Sequence, residues 1–158
     1  MKVIITGSFD PITLGHMEII DYASKKYDEV YVVALVNENK RYMFSLPEKR
    51  KFIEDSVSEY KNVIADAYEG LTADYMHKNG IKHIIRGIRN ENDKEYETIL
   101  AEKMKEFDSE FETEFILSSP KTAHISSNLV REKIANGEDI SNLVPKAIEK
   151  SIIEAYKK

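Results

Sequence analysis

The chain has 158 residues, enough for one domain with a full hydrophobic core, and no stretch rich in glycine, proline or serine divides it. The absence of cysteine excludes disulfides, thiolate nucleophiles and cysteine-ligated zinc, and it fits a reducing cytoplasm. With 28 acidic and 23 basic residues the formal charge is −5, which argues against a broad nucleic-acid-binding surface. No apolar run approaches membrane-spanning length and no signal-peptide pattern follows Met1. We therefore expect a single cytoplasmic domain over residues 1–158, with neither a nucleic acid nor a membrane as a partner.

The first predicted strand, residues 3–5, is followed by a glycine turn and a loop that leads through Pro11 and Thr13 into a helix. On this helix a histidine lies on the same face as apolar residues at spacings of three and four. The face consists of His16, Ile19, Ile20, Ala23 and Tyr27. This spacing predicts that the imidazole points inward at the first turn of the helix.

Strands and helices continue to alternate along the rest of the chain. Further strands are predicted at 30–36, 63–65, 82–86 and 111–117, and further helices at 47–60, 72–78, 129–134 and 148–156. Between the last two strands Asp93 is predicted to cap a long helix with an apolar stripe of Tyr96, Ile99, Leu100, Met104 and Phe107. The pattern predicts an α/β fold, a doubly wound five-stranded parallel sheet with a C-terminal helical segment. In such sheets ligands bind beyond the carboxyl ends of the strands, so the polar loops that follow the strands should meet at one edge.

The loop after the first strand, Gly7-Ser-Phe-Asp-Pro-Ile-Thr-Leu-Gly-His16, is a candidate phosphate site. Unpartnered backbone N–H groups at the start of a helix attract anions. Gly7 and Gly15 have no Cβ and permit a close approach by a ligand, while His16 supplies a donor or a cation. The alternative is an Asp-Pro turn followed by a core histidine that bonds a carbonyl.

A basic pair, Lys40 and Arg41, follows the second strand. The ammonium of Lys40 is a compact charge that could reach a phosphate across the edge of the sheet. A solvated surface pair is the more common fate of such residues. A further polar residue, Thr72, lies in Gly70-Leu71-Thr72 at the predicted start of a helix. Initiating that helix is by itself an adequate role for it.

Two arginines, Arg86 and Arg89, flank Gly87 at the end of the fourth strand. Guanidinium groups in this position can hold phosphate oxygens in bidentate fashion, and the glycine lets backbone amides come close to a ligand. The alternative is that both arginines form weak surface ion pairs with Asp93 and Glu97 on the next helix.

The segment Thr122-Ala-His-Ile-Ser-Ser-Asn-Leu-Val-Arg-Glu132 follows the fifth strand. The hydroxyls of Ser126 and Ser127 either cap the short helix or, with the free N–H groups of its first turn, bind a triphosphate.

Together these segments resemble the bacterial phosphopantetheine adenylyltransferases of the nucleotidylyltransferase superfamily. Residues 7–16 match G-[ST]-F-D-x-x-x-x-G-H, 40–44 match K-[KR]-x-x-F, 85–97 match I-R-G-[LI]-R-x-x-x-D-x-x-Y-E, and 125–132 match I-S-S-[ST]-x-[VIL]-[RK]-E. The matches follow the family's order over nearly the whole chain. Asn128 replaces a hydroxyl residue of the last motif. In Ser45-Leu-Pro-Glu-Lys-Arg50 an extra residue leaves Lys49 and Arg50 as alternative counterparts of the family arginine in S-x-E-E-R.

The resemblance implies transfer of the adenylyl group of ATP to 4′-phosphopantetheine, giving dephospho-coenzyme A and pyrophosphate in coenzyme A biosynthesis. It also implies Mg²⁺ as a bridge between phosphates and a homohexamer. No carboxylate cluster in the sequence suggests an all-protein metal cage. The implied catalytic residues are His16, Lys40 and Arg89. The implied ATP contacts are Ser8, Phe9, His16, Gly87, Ile88, Arg89, Glu97, Thr122, Ala123, His124, Ile125, Ser126, Ser127 and Asn128. The implied phosphopantetheine contacts are Ser8, Lys40, Thr72 and Arg86.

Two rival functions remain open at this point. One is another transferase of the superfamily, with nicotinamide mononucleotide or glycerol phosphate as the acceptor. The other is a nucleotide-binding or regulatory module without catalytic activity.

Overall fold

The protein is described by a computed structural model that covers residues 1–36 and 39–158. Five parallel strands form one sheet in the order β3-β2-β1-β4-β5. The strands are β1 Lys2–Gly7, β2 Glu29–Leu35, β3 Val63–Tyr68, β4 His83–Ile88 and β5 Glu112–Leu117. The helices are α1 Leu14–Lys26, α2 Leu46–Ser56, α3 Thr72–Asn79, α4 Glu91–Phe107, α5 Ser127–Ala135 and α6 Glu149–Tyr156. The predicted doubly wound parallel sheet with a C-terminal helical segment is confirmed.

Successive side chains of the central strand β1 enter two different cores, because side chains alternate across a sheet. Val3 and Ile5 are buried in a core that also contains residues of α1, α2, α5 and α6. Ile4, between them, is buried with residues of α3 on the opposite face. Since both faces are covered, the interior strands are apolar on both sides, as expected for a parallel sheet.

Helix α2 begins as the sequence predicts and ends earlier. Ser45 is its N-cap and forms a capping box with Glu48, in which each side chain accepts the backbone N–H of the other residue. The predicted end at Tyr60 is wrong, because the helix stops at Ser56 and the backbone of Val57 leaves helical geometry. The N–H of Tyr60 then bonds the carbonyl of Val57 in a turn.

Helix α4 has a different N-cap from the predicted one, and much of its apolar stripe is exposed. Its N-cap is Asn90, whose side chain accepts the N–H of Asp93 at 2.9 Å, so the prediction of Asp93 as the cap is wrong. Within the stripe, Met104 packs against the core that contains residues of α3, whereas Tyr96, Ile99 and Phe107 are 62%, 53% and 56% exposed. The buried residue of this helix is Glu97.

The strand order reverses between β1 and β4, which are neighbours in the sheet but are far apart in sequence. At such a switch point the loops that follow the two strands diverge and leave a crevice beyond their carboxyl ends. None of the helices in residues 1–36 and 39–158 is long and apolar enough to cross a membrane.

Candidate active site

A cavity of about 260 Å³ occupies the crevice beyond the carboxyl ends of β1 and β4. We call it the nucleotide cavity, after the ligand that the sequence motifs predict for it. Its lining comes from β1, the start of α1, the end of β4 and the segment that leads into α5. The residues from the predicted site that line it are His16, Arg86, Gly87, Arg89, Thr122, Ile125, Ser126 and Ser127. Three of the four polar segments singled out in the sequence therefore meet here.

The helices that open onto this cavity are electrostatically suited to an anion. Gly15 and His16 at the start of α1, and Ser127 at the start of α5, all line the cavity. Neither helix has an acidic residue in its first turn, whereas α2, α3, α4 and α6 all have one. The positive ends of the α1 and α5 dipoles are therefore not compensated by a nearby carboxylate. Two arginines, each paired with a carboxylate of α4, also line the cavity, so it offers two helix N-termini and guanidinium donors to a polyphosphate.

The imidazole of His16 is held in one orientation by the N-cap of its own helix. Thr13 forms a capping box with His16, and the Thr13 N–H donates to His16 Nδ1 at 2.9 Å. The Thr13 hydroxyl lies 3.1 Å from the same nitrogen, and the ring of Phe9 packs against the imidazole at a centroid distance of 4.7 Å. Because Nδ1 accepts the Thr13 N–H, the neutral ring carries its proton on Nε2. That N–H remains available as a donor to a ligand.

His16 is uncharged at neutral pH. Burial is the main cause that lowers the pKa of His16 from 6.5 to about 4, and the positive charges of Arg86 and Arg89 contribute to the same shift. The group therefore acts as a neutral hydrogen-bond donor in the ligand-free protein. Anionic phosphates that offset the two guanidinium charges should raise this pKa again.

The low pKa of His16 should make folding sensitive to acid. Between pH 6.5 and 4 the unfolded chain binds a proton at His16 that the native protein does not bind, so stability falls as the pH falls. The slope from this one group is at most about 1.4 kcal/mol per pH unit. Urea unfolding at several pH values should show a shallower dependence for His16→Asn than for the wild type. The control His77→Asn changes an exposed histidine that pairs with Asp108. Identical slopes for the wild type and His16→Asn would contradict the assigned pKa.

Arg86 is fixed by a bidentate ion pair with Glu97. Its Nε and Nη2 donate to the two carboxylate oxygens at 2.8 and 2.7 Å, and its Nη1 donates to the carbonyl and hydroxyl of Thr6 at 2.7 and 3.0 Å. Glu97 is only 7% exposed, so its charge depends on this partner. The ion-pair alternative considered for Arg86 is therefore present, and it holds the guanidinium at the edge of the cavity.

A second cavity, of about 320 Å³, lies on the other side of Arg86. We call it the acceptor cavity, after the second substrate that the family resemblance implies. Its lining is largely apolar, with Leu100, Met104 and Phe107 of α4 on one side and Thr72 of α3 on another. Thr6, Gly7 and Arg86 line both cavities. Glu97, implied by resemblance as a nucleotide contact, lines the acceptor cavity instead.

Gly87 allows the Ile19 side chain of α1 to pack closely against β4. A Cβ at this position would overlap Cδ1 of Ile19.

Arg89, two residues after Gly87, is exposed and lines the nucleotide cavity. Its Nε donates a hydrogen bond to Asp93 at 3.3 Å. Such an exposed pair is weak, so a phosphate can replace the carboxylate.

Lys40 is exposed and lies outside the described lining of both cavities. It follows Asn37 and Glu38, part of the predicted polar loop, which lie outside the described residues. Lys49 and Arg50, the two alternative counterparts of the family arginine, lie in different environments. The side chain of Lys49 is 1% exposed and lies near Asp10, whereas Arg50 is exposed and pairs with Glu54.

Several predicted ligand contacts lie beside the nucleotide cavity and not in its lining. Ser8 and Ala123 are partly buried, Ile88 is buried, and His124 is exposed. Phe9 is buried and reaches the site through its contact with His16.

The predicted helix cap at the start of α5 is present. Ser126 is the N-cap, and its hydroxyl accepts the N–H of Leu129 at 3.0 Å. The amide oxygen of Asn128 accepts a hydrogen bond from Arg131 at 3.1 Å. The polar replacement in the last motif is thus tied to its own helix.

Sequence reasoning missed Glu18, which holds the segment before α5. Its carboxylate accepts the N–H and the hydroxyl of Ser119 at 2.8 and 2.6 Å. These hydrogen bonds lower the pKa of Glu18 below its ordinary value. The two residues are 101 positions apart, and the local sequence around Glu18 carries no signal for this contact.

Within the described part of the chain, no group of three or more histidine, aspartate or glutamate residues is arranged to hold a metal ion. The lining of the nucleotide cavity offers hydroxyl oxygens, including those of Thr122 and Ser126, in place of carboxylates.

Comparisons with known proteins place this geometry among nucleotidyltransferases. Residues 4–133 match the family model described as cytidylyltransferase-like. The chain is 44% identical to a phosphopantetheine adenylyltransferase from Clostridium novyi, over 97% of this chain and 96% of that protein. It is 43% identical to a phosphopantetheine adenylyltransferase from Flavobacterium psychrophilum, over 93% of this chain and 97% of that protein.

The fold also matches a solved structure. A protein from Vibrio parahaemolyticus, provisionally described as a nicotinate-nucleotide adenylyltransferase, superposes with a TM-score of 0.76 over 99% of this chain and 95% of that chain. The two sequences are 17% identical, so this likeness shows a shared fold and no more.

Proposed function

The chain belongs to the phosphopantetheine adenylyltransferase family, and from this premise we propose that it transfers the adenylyl group of ATP to 4′-phosphopantetheine. The products are dephospho-coenzyme A and pyrophosphate. ATP occupies the nucleotide cavity and the pantetheine arm occupies the acceptor cavity.

One observation supports this function above the others: the two cavities meet at Thr6, Gly7 and Arg86. A cavity with positive charge and an apolar cavity are suited to a polyphosphate and to a long, largely uncharged arm. The phosphate of the acceptor then lies at the junction, beside the Arg86 guanidinium. A single-substrate binding module has no need of the second cavity.

The reaction needs orientation and charge neutralisation more than it needs a base. An oxygen of the acceptor phosphate is already anionic, so it forms the new bond to the α-phosphorus of ATP without losing a proton. The bond from the α-phosphorus to the bridging oxygen breaks, and pyrophosphate leaves with the electron pair. Holding both anions in line supplies most of the acceleration.

The residues of the nucleotide cavity take separate parts in this step. The Nε2–H of His16 donates to the α-phosphoryl oxygens, on which negative charge grows. Arg89 and the N-terminus of α5 hold the β- and γ-phosphates. Arg86 orients the attacking phosphate of the acceptor. Lys40, from the segment that follows β2, neutralises the charge of this phosphate.

Mg²⁺ fits this site as an ion carried by the nucleotide. Mg²⁺ prefers oxygen ligands and retains several water molecules, so it needs few contacts with the protein. Hydroxyls of the cavity lining, such as that of Ser126, can supply these contacts. When bound, the ion neutralises charge on the phosphate oxygens. Activity should be lost on chelation and restored by added Mg²⁺.

We place the reaction in the cytoplasm and the enzyme in a homohexamer. Exposed apolar residues on α4 and on the edge strand β5 support association of copies, since large exposed apolar surfaces mark interfaces. They include Tyr96, Ile99 and Phe107 of α4 and Leu117 of β5. Sedimentation equilibrium should give a mass six times that of the chain, and a monomer would refute the assembly.

Lys40→Ala should raise the KM for phosphopantetheine and lower kcat/KM for it by about 10- to 10²-fold, the usual effect of losing a charged hydrogen bond. The KM for ATP should change little. Initial rates with each substrate varied in turn test this, with Lys61→Ala as the matched control because Lys61 is also an exposed lysine. Normal kinetics for both substrates would show that Lys40 is a solvated surface residue without a role in the reaction.

The function itself is tested by pyrophosphate release from a panel of substrates. ATP and CTP are each paired with phosphopantetheine, nicotinamide mononucleotide and glycerol phosphate. We expect release only from ATP with phosphopantetheine. Release with a different acceptor would favour another transferase of the superfamily. Tight ATP binding without release from any pair would favour a non-catalytic module.

A further inference from the structure

A buried carboxylate outside both cavities connects three segments of the site. Asp10 is 1% exposed, and its two oxygens accept the backbone N–H groups of Met43 and Phe44 at 2.8 and 2.9 Å. A buried carboxylate is costly unless it is hydrogen-bonded, so these two contacts are strongly favoured over an open arrangement. They join the first phosphate loop to the segment that carries Lys40.

Helix α5 is attached to the same residue. Arg131 Nη1 donates to the backbone carbonyl of Asp10 at 2.8 Å and lies 3.7 Å from its carboxylate. The Ser127 hydroxyl donates to the carbonyl of Pro11 at 2.8 Å. The start of α5, which faces the nucleotide cavity, is therefore bound to the first loop at two consecutive residues.

Lys49 approaches Asp10 from the first turns of α2. Its Nζ lies 4.0 Å from Asp10 Oδ1 and 3.4 Å from the centre of the Tyr42 ring. Among the described residues this Nζ has no hydrogen-bond partner. Burial lowers the pKa of Lys49; the charge of Asp10 opposes this shift and that of Arg131 adds to it.

We propose that Asp10, with Arg131, is a positioning residue that holds the 40–44 segment against the first loop and so sets the reach of Lys40 toward the acceptor phosphate. The role of Lys40 rests on the proposed function. Met43 follows Lys40 by three residues, so their Cα atoms are separated by at most about 11 Å. Anchoring Met43 to Asp10 therefore limits how far Lys40 can move from the first loop. Without the anchor, the lysine would seldom be in place during a turnover.

A double-mutant cycle separates this role from a merely structural one. Asp10→Asn should lower kcat/KM for phosphopantetheine by about 10-fold or more, mainly through that substrate's KM. If Asp10 acts through Lys40, the pair Asp10→Asn and Lys40→Ala should be about as impaired as Lys40→Ala alone. If the losses in kcat/KM from the two single substitutions instead multiply in the double variant, the proposal is overturned. Asp55→Asn is the matched control, since it makes the same change in a surface pair of α2.

Amide hydrogen exchange gives a second readout that needs no substrate. In the ligand-free protein, Asp10→Asn should speed exchange at Met43 and Phe44 by at least about tenfold relative to amides in the sheet. Unchanged exchange at these two amides would also overturn the proposal. If Asp10→Asn does not fold, Asp10→Glu, which keeps the charge but displaces the carboxylate from the two N–H groups, replaces it in both measurements with the same expected results.

Failure of the proposed function would look different. A wild-type protein that releases no pyrophosphate refutes the function while the exchange measurement still decides whether Asp10 anchors the segment. An active wild type with independent effects in the cycle refutes the positioning role alone.

Discussion

His16→Ala is expected to lower kcat by about 10²–10³, or roughly 2.7–4 kcal/mol, which is the usual loss for one preorganised donor to developing charge. The wild-type imidazole is neutral, and Thr13 holds its Nδ1, so its Nε2–H is presented to the nucleotide cavity without reorganisation. Alanine removes this donor. The KM for ATP should change less than kcat, because the donor interacts most strongly as charge accumulates on the α-phosphoryl oxygens.

Single-turnover rates with saturating substrates measure this loss directly. The control His77→Ala removes an exposed imidazole that lines neither cavity and should keep full activity. Near-normal turnover by a folded His16→Ala protein would remove His16 from the mechanism.

Arg86→Ala is expected to have the second large effect, on both stability and activity. It leaves the buried carboxylate of Glu97 without its bidentate partner and removes two contacts to Thr6. Breaking a buried ion pair in this way costs about 3–5 kcal/mol of unfolding free energy. Activity should fall by about 10³, because the same guanidinium lies where the two cavities meet.

A second variant separates the two effects of Arg86. Replacing both partners, Arg86→Leu with Glu97→Leu, removes the unpaired charge and should return most of the stability. It should not return activity, since the phosphate contact is still absent. Urea unfolding and pyrophosphate release measure the two quantities, with Lys105→Ala as the control for losing an exposed cation of an ion pair. Recovery of activity in the double variant would show that Arg86 is only structural.

The strand order and the position of the crevice follow closely from the sequence, because alternating strands and helices allow few arrangements. The same holds for His16, whose inward face is set by helical spacing from Ile19, Ile20 and Ala23. What spacing does not show is the fixed tautomer. That depends on the capping box with Thr13, which becomes visible only when the start of α1 is known.

The apolar stripe on α4 is largely exposed for a physical reason. Apolar residues at helical spacing normally mark a face buried in a core. Here the buried position belongs to Glu97, because Arg86 requires a carboxylate there, and Leu100 and Met104 border a cavity. Tyr96 and Ile99 are consequently exposed. The sequence pattern cannot distinguish a face that lines a cavity or an interface from one that packs into a core.

Local sequence patterns do not predict the contacts of the site between residues that are far apart in sequence. Asp10 reaches Phe44 across 34 positions, and the carbonyl of Asp10 reaches Arg131 across 121. The burial of Lys49, with Arg50 outside, follows from the direction in which α2 docks on Asp10. That direction is a property of the folded chain.

The fate of the α-phosphorus of ATP tests the central claim most directly. Wild-type protein is incubated with Mg²⁺, phosphopantetheine and ATP labelled at either the α- or the γ-phosphorus. We predict that the α-label appears in dephospho-coenzyme A and the γ-label in pyrophosphate, in equal amounts. Appearance of the γ-label in the acceptor, or in inorganic phosphate as a primary product, would contradict adenylyl transfer at this site.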